Sequence, residues 1–308
     1  MKRLLETLFI AGAAATFVGC SGSAKTDASK GDTQTPGQRL SELPMPEILP
    51  GLDTPELRVN YALGVYWDSL DFTDHSLSLD TAFMEQSFSN FAALMQYVPV
   101  SSVPMENLVR NASADTLATI FVWEIADKYL NEPNSPMRDA EKYRIFLHAL
   151  AESPVVTDAY RDKLRYQMAI AELNRPGTVA NDFSYVTRDG KRKSLLSSAK
   201  GKLTMVIFYD SDCDNCKHIL GDLVNITFPD GVKVIAVDVA DNKEIWIERS
   251  GSLPADWEVG FAIDDLNDER LYHLPALPTV YLLDKDGRVL LKDPTPRTAI
   301  ATITQNPQ

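Results

Sequence analysis

The strongest constraint on the fold is a short apolar run that leads into two closely spaced cysteines. Residues 203–209 read Leu-Thr-Met-Val-Ile-Phe-Tyr, and Cys213-Asp214-Asn215-Cys216 follows after Asp-Ser-Asp. This order predicts a strand that ends near the first sulfur and a helix that begins there. Free N–H groups and the dipole at a helix N-terminus favour a thiolate. A Cys-x-x-Cys pair alone also fits half a zinc site, but strand, dithiol and helix in this order favour a redox dithiol.

A second motif lies far along the chain and begins another apolar strand. Leu277-Pro278-Thr279 starts this strand, Asp284-Lys285-Asp286-Gly287 predicts a turn, and residues 288–292 predict a returning strand. Proline is tolerated at the first residue of a strand but not within a central ladder. Pro278, followed by Thr279 and a hairpin, resembles the cis-proline that faces the dithiol in thioredoxins.

Three shorter features extend this resemblance to roughly residues 175–308. Asn181-Asp182-Phe183, the turn Arg188-Asp189-Gly190 and Gly201-Lys202 before the core strand resemble the TlpA-like branch of the thioredoxin superfamily. The resemblance implies a thioredoxin-like α/β domain over residues 176–308, which acts on protein thiols and disulfides and holds no cofactor or metal. The residues that it implies for the site are Cys213 as the attacking sulfur, Cys216 as the resolving sulfur, and Leu277, Pro278 and Thr279 as substrate-binding residues.

The chain departs from the thioredoxin pattern around the cysteines. Asp212 replaces the usual tryptophan, Asp214-Asn215 replaces the usual X-Pro, and Ile207 stands where many thioredoxins keep a buried carboxylate. Without that carboxylate, proton transfer relies on solvent or on a substrate group. Negative charge on Asp210, Asp212 and Asp214 opposes a thiolate and favours the disulfide. A reductase or disulfide-exchange role is therefore expected rather than an oxidase.

Two other functions remain open at this stage. Copper chaperones of the same fold bind Cu(I) through two cysteines and a distant histidine, and His273 precedes Pro278 closely. Alternatively, residues 213–216 form only a structural disulfide in a non-catalytic adaptor, since a fold does not determine a function. The chain has three cysteines, so no tetrahedral Cys-only zinc site can be completed.

The N-terminus predicts a secreted and lipid-anchored protein. Lys2 and Arg3 precede an apolar stretch, residues 4–18, that is too short to span a bilayer. Phe17-Val18-Gly19-Cys20 resembles a bacterial lipobox, which implies a signal peptide over residues 1–19 and a lipid on Cys20. We expect attachment to a bacterial membrane on the extracytoplasmic, periplasmic side. There Cys213 and Cys216 are the only thiols left in an oxidising compartment.

Composition and charge describe the rest of the first half. Residues 20–50 are rich in Ser, Gly, Thr, Asp, Lys and Pro and predict a flexible tether. Residues 51–175 show helical periodicity and resemble an uncharacterised helical domain that precedes thioredoxin-like domains in lipoproteins of some Gram-negative bacteria. The residues that carry this resemblance are Tyr66-Trp67-Asp68, 129–136 and 174–178.

The predicted architecture is an all-α domain followed by a thioredoxin-like α/β domain. The helical domain is a candidate for binding an unidentified protein, and the formal charge of −13 argues against nucleic acid as a partner. The first predicted helix begins after Thr54. The other predicted helices span residues 79–98, 105–110, 115–130, 139–152, 157–174, 215–226, 243–250, 266–272 and 297–303. The predicted strands span residues 183–186, 193–195, 203–209, 232–239 and 259–263 and the hairpin 279–292.

Overall fold

The computed structural model describes residues 40–267 and 270–305. The predicted signal peptide, Cys20 and the part of the tether before residue 40 lie outside these described residues. Within them, no helix has the length and apolar character needed to cross a membrane. The chain divides into two compact units, Met1–Phe121 and Val122–Gln308, which are described separately below.

The first unit is helical throughout its regular elements. Thr54 caps the first helix, since its side chain accepts a hydrogen bond from the Leu57 N–H at 3.2 Å. The predicted helix over 79–98 is confirmed as one helix with narrower bounds, Thr81–Leu94, which begins where the Asp80 side chain accepts the Phe83 N–H at 2.8 Å. A separate short helix, His75–Ser78, precedes it. The helices of this unit are α1 (Pro55–Val65), α2 (His75–Ser78), α3 (Thr81–Leu94), α4 (Val103–Ala112) and the beginning of α5 (Thr116–Ala126).

Aromatic side chains fill the core of this unit. The rings of Tyr66 and Trp67 lie 5.1 Å apart, and the ring of Trp67 meets that of Phe91 edge-on at 5.6 Å. The Tyr66 hydroxyl donates to the Ser87 carbonyl at 3.0 Å, so its polar end is satisfied inside the core. The Tyr66-Trp67 motif of the helical region therefore serves packing.

The second unit combines the remaining helices with the whole sheet. A π-helical turn, Asp127–Asn131, follows α5 and shortens the predicted helix over 115–130. The other elements are α6 (Ala140–Ala151), α7 (Asp158–Glu172), β1 (Ser184–Thr187), β2 (Arg192–Ser194), α8 (Leu195–Ala199), β3 (Leu203–Tyr209), α9 (Asp214–Leu223), β4 (Val232–Asp238), α10 (Lys243–Arg249), β5 (Glu258–Ala262), β6 (Thr279–Leu283), β7 (Val289–Lys292) and α11 (Pro296–Gln305).

The strands form a mixed seven-stranded sheet in the order β2-β1-β5-β4-β3-β6-β7. Every residue of β3 is buried, which explains its unbroken apolar sequence, because helices cover both faces of a central strand. β3 runs parallel to β4 and antiparallel to β6. In that register Phe208 lies opposite Thr279. The end of β3 and the start of β6 therefore meet at one edge of the sheet.

One sequence-based prediction for this unit is wrong. The stretch 266–272 is not a helix: its described residues form turns, in which the N–H groups of Leu271 and Tyr272 both donate to the Leu266 carbonyl. Tyr272 is then free to pack its ring 4.8 Å from Phe208. The strand predicted over 193–195 is confirmed as β2, Arg192–Ser194, which pairs with β1 before α8 begins. The predicted order of an all-α part followed by an α/β part is confirmed.

A buried lysine joins α7 to the edge of the sheet within this unit. The Lys292 ammonium donates to the carbonyls of Ile170, Ala171 and Leu173 at 3.2, 3.2 and 2.6 Å. These carbonyls lie at the C-terminus of the helix, where positive charge is favoured. Burial lowers the pKa of Lys292 to about 8. The neighbouring Asp293 carboxylate pairs with Arg138.

We predict that Gly260→Ala destabilises the second unit by about 1–3 kcal/mol. A Cβ at this position of β5 would overlap the buried ring of Tyr185. The matched control is Gly221→Ala in α9, where no atom lies within 4 Å of the added Cβ, and where the change should stabilise by about 0.5–1 kcal/mol. Denaturant unfolding of both variants measures the difference. Equal stability of the two variants would contradict the tight packing of Tyr185 on β5.

Candidate redox site

Cys213 occupies the N-cap of α9, at the end of the loop that leaves β3. Its sulfur accepts the N–H of Cys216 at 3.4 Å, and its own N–H donates to the Asp210 carbonyl at 3.2 Å. Backbone N–H groups at a helix N-terminus stabilise negative charge on a sulfur placed there. Cys213 is partly exposed, so another molecule can reach it. This position suits an attacking sulfur.

Cys216 lies one turn into α9 and is fully buried. The pKa of its thiol is raised to about 12, chiefly by burial; the neighbouring Cys213 also raises this pKa, whereas a hydrogen bond with the Asp210 backbone lowers it. A thiol with such a pKa stays protonated at neutral pH and is a poor nucleophile until its proton is removed. The two sulfurs are therefore inequivalent in the way that an attacking and a resolving cysteine are.

The second motif lies directly beside the dithiol. The Leu277–Pro278 peptide bond is cis, and the Asn215 side-chain amide donates to the Leu277 carbonyl at 3.1 Å. The structure thus brings Leu277 and Pro278 to the N-terminus of α9. Thr279 is buried, and its hydroxyl donates to the Ala276 carbonyl at 2.7 Å. Thr279 therefore stabilises the loop from the inside.

Two of the acidic residues around Cys213, Asp212 and Asp214, are paired with cations. Arg249 donates to Asp212 at 2.7 Å, and Lys217 lies 2.9 Å from Asp214. Lys217 lowers the pKa of the exposed Asp214 carboxyl, first through its hydrogen bond and then through its charge. These cations offset the repulsion that the sequence predicted, so Asp212 and Asp214 give no electrostatic reason to favour the reducing direction.

A buried carboxylate that the sequence analysis missed supports the loop before the dithiol. Asp238 ends β4 opposite Tyr209 and has no exposed surface. Its carboxylate accepts the Ser211 N–H at 2.9 Å, the Ser211 hydroxyl, and the Ala240 N–H at 2.9 Å. Burial raises its pKa. The available signal was an acidic residue at the end of a wholly apolar strand, since buried charges need partners.

Comparison with known proteins agrees with this architecture. The model of the family described as Domain of unknown function (DUF5106) matches residues 20–174, half of the chain. The chain belongs to the DUF5106 family. This match confirms the prediction that an uncharacterised helical domain precedes the thioredoxin-like region.

Two relatives extend the likeness of this DUF5106 protein to its second half. The crystal structure of a thioredoxin-like protein from Bacteroides caccae is 25% identical and superposes with a TM-score of 0.78 over 86% of this chain and 98% of the other. Thiol-disulfide oxidoreductase ResA from Geobacillus thermodenitrificans is 30% identical over 122 residues, which are 37% of this chain and 66% of ResA. The thioredoxin-like nature of the C-terminal region, predicted from the sequence, is confirmed.

The histidine considered for copper binding lies in another environment. His273 lines a small cavity of about 120 Å³ together with Arg138, Tyr281 and Lys292. Burial and then the charges of Lys292 and Arg138 lower its pKa. Throughout the described part of the chain, no three His, Cys, Asp or Glu side chains come together in a way that could hold a metal ion. His273 and the two cysteines thus do not form a copper-ligand set.

We predict that iodoacetamide alkylates Cys213 of this DUF5106 protein at least about tenfold faster than Cys216 at neutral pH. Cys213 is partly exposed at a helix N-terminus, whereas Cys216 is buried with a pKa of about 12. Mass spectrometry of peptides from the reduced protein, taken over a time course, gives both rates. Similar rates at the two sulfurs would contradict their assigned inequivalence.

Proposed function

We propose that this protein is a thiol-disulfide oxidoreductase that acts on protein disulfides through Cys213 and Cys216. The observation that carries the proposal is the geometry of the dithiol. A partly exposed sulfur caps a helix, a buried sulfur follows it one turn later, and a cis-proline loop lies beside both. The likeness to ResA, which is named a thiol-disulfide oxidoreductase, supports the same chemistry.

The reaction needs no group beyond the two thiols and the substrate disulfide. The Cys213 thiolate attacks one sulfur of the substrate, forms a mixed disulfide and releases the other substrate sulfur as a thiolate, which takes a proton from water. Cys216 then loses its proton and attacks the Cys213 sulfur. The second substrate thiolate leaves, so the substrate gains two electrons and the Cys213–Cys216 pair loses two. The reverse sequence oxidises a substrate dithiol.

The elements of the site divide this work. The α9 N-terminus stabilises the Cys213 thiolate before it attacks a substrate disulfide, and again when it leaves in the last step of the reverse sequence. Burial keeps Cys216 protonated and so protects it from competing reactions until the mixed disulfide has formed. Leu277 and Pro278 supply the surface on which a substrate segment lies beside Cys213.

The non-catalytic adaptor is the second reading of the same cysteines. A purely structural disulfide has no need for a sulfur that is accessible and set at a helix N-terminus, yet Cys213 is both. The reduction potential separates the two, because structural disulfides of secreted proteins lie below about −300 mV. A value above that range, measured by equilibration with glutathione, is expected here.

We predict that Cys216→Ser traps mixed disulfides with insulin, whereas Cys213→Ser does not. The first variant keeps the attacking sulfur and loses the resolving one, so the intermediate accumulates. Non-reducing electrophoresis of the reduced variants, mixed with insulin and quenched with acid, detects the adduct. The parent should pass through the adduct and reduce insulin.

Three outcomes of the trapping experiment would contradict the proposal. Equal trapping by both variants would contradict the order of the two sulfurs. Trapping by Cys213→Ser alone would reverse that order. If neither variant traps insulin and the parent does not reduce it, the proposed oxidoreductase function is wrong and the non-catalytic adaptor is favoured.

We also propose that a lipid on Cys20 holds the protein on the extracytoplasmic side of a bacterial membrane. The lipobox-like run Phe17-Val18-Gly19-Cys20 and the basic, apolar stretch before it support this location. An oxidising compartment also suits a chain that has few cysteines besides a redox pair.

We predict that Cys20→Ser moves the protein from the membrane fraction to the soluble extracytoplasmic fraction. Without the cysteine there is no attachment point for the lipid. Immunoblots of fractionated cells that express the parent, Cys20→Ser and the control Ser21→Ala give the answer. Membrane retention of Cys20→Ser would show that another element anchors the chain.

A further inference from the structure

The side chain of Asn215 bridges the two halves of the site. Its amide nitrogen, on the first turn of α9, donates to the Leu277 carbonyl at 3.1 Å, and this bond is exposed to solvent. The position between the two cysteines is usually proline in the resembled family, and proline carries no side-chain donor. The bridge is therefore a property of this chain's own sequence.

The Leu277 carbonyl lies where an incoming peptide would pair. Leu277 lies two residues before the first residue of β6 and stands outside the ladders that β6 makes with β3 and β7. An extended peptide adds to an exposed backbone segment by bonding its N–H and C=O groups. Within the described part of the chain, the Asn215 amide is the one donor to this oxygen.

The loop does not depend on Asn215 for its position. The Leu277 side chain packs against the hydrophobic clusters on both faces of the sheet, and the Thr279 hydroxyl bonds the Ala276 carbonyl from inside. Loss of the Asn215 amide therefore frees the Leu277 carbonyl and leaves the loop in place.

We propose that Asn215 is a specificity-determining residue that competes with peptide substrates for the Leu277 carbonyl. In the resting protein the Asn215 amide occupies the side of this carbonyl that faces the α9 N-terminus, although the oxygen has a second lone pair. An extended peptide disulfide that approaches Cys213 from that side must displace the amide before its own backbone N–H can bond the oxygen there. A disulfide without peptide bonds reaches Cys213 with no such exchange. The inference rests on the proposed oxidoreductase function and adds to it a discrimination between peptide disulfides and disulfides without a peptide bond.

The size of the effect follows from the kind of bond. A neutral hydrogen bond contributes a net free energy equivalent to about a threefold to tenfold change in an equilibrium constant. Removal of the competitor should therefore lower the half-saturating concentration of a peptide disulfide by about threefold to tenfold. The rate at saturation should stay the same, because the sulfurs and the N–H groups of α9 are unchanged.

The experiment is a single-turnover measurement on the reduced full-length protein. The parent, Asn215→Ala and Asn215→Leu are mixed with excess of an extended peptide disulfide that releases a fluorescent thiol, and separately with a nitrobenzoate disulfide that has no peptide bond. Asn215→Leu keeps nearly the size of the side chain but lacks the donor. The matched control is Asn225→Ala, which loses an exposed amide bond of the same kind, Asn225 to the Gly221 carbonyl at 2.8 Å, at the far end of the same helix.

Each outcome decides the matter. A lower half-saturating concentration for the peptide in both Asn215 variants supports the proposal, provided that the saturated rate, the nitrobenzoate reaction and the Asn225→Ala control are unchanged. An unchanged peptide value overturns it, and a raised value overturns it in favour of Asn215 as a direct substrate contact. A fall in Asn215→Ala but not in Asn215→Leu overturns it in favour of simple steric relief. A parent inert toward both disulfides overturns the proposed function and this inference with it.

Discussion

The pairing of β3 with β4 on one side and β6 on the other is the constraint on which the site depends. β3 is buried along its whole length, and its register places Phe208 opposite Thr279 and Tyr209 opposite Asp238. A slip of one residue would turn every buried side chain of β3 to the opposite face. The register is therefore strongly specified, and it brings the dithiol, the cis-proline loop and Asp238 to the same edge of the sheet.

The same edge creates two different environments for two identical side chains. Cys213 stands at the N-cap with its sulfur bonded by an N–H, and Cys216 lies among the apolar residues on one face of the sheet. Burial is the largest cause of the raised Cys216 pKa, and the neighbouring Cys213 adds to it. The two thiols thus differ because Cys216 lies three residues further along the helix than Cys213, and not because of residue type.

For the charges near the site, residue type alone did not indicate the electrostatic effect on Cys213. In the sequence, Asp212 and Asp214 place two negative charges next to Cys213. In the structure, Arg249 of another helix forms an ion pair with Asp212 and donates a hydrogen bond to the Ser211 carbonyl. Arg249 lies far from Asp212 in the sequence, and no periodicity links the two. The net electrostatic field at Cys213 depends on such partners that are distant in the sequence, and this field affects whether the dithiol or the disulfide is favoured.

The fold class, the central strand, the dithiol helix and the position of Pro278 could be predicted from the sequence, because they rest on local patterns. An unbroken apolar run predicts a central strand, and a cysteine pair after it marks the helix start. Three other features could not be predicted from the sequence, because each depends on the residues that pack beside it. They are the absence of the helix predicted over 266–272, the burial of Asp238 and the Asn215–Leu277 hydrogen bond. Tyr272 lies in a turn, and its ring packs next to that of Phe208. Local propensity determined the elements of this protein, whereas only the tertiary structure decided which polar groups are buried, which charges are paired, and which carbonyl beside Cys213 is occupied.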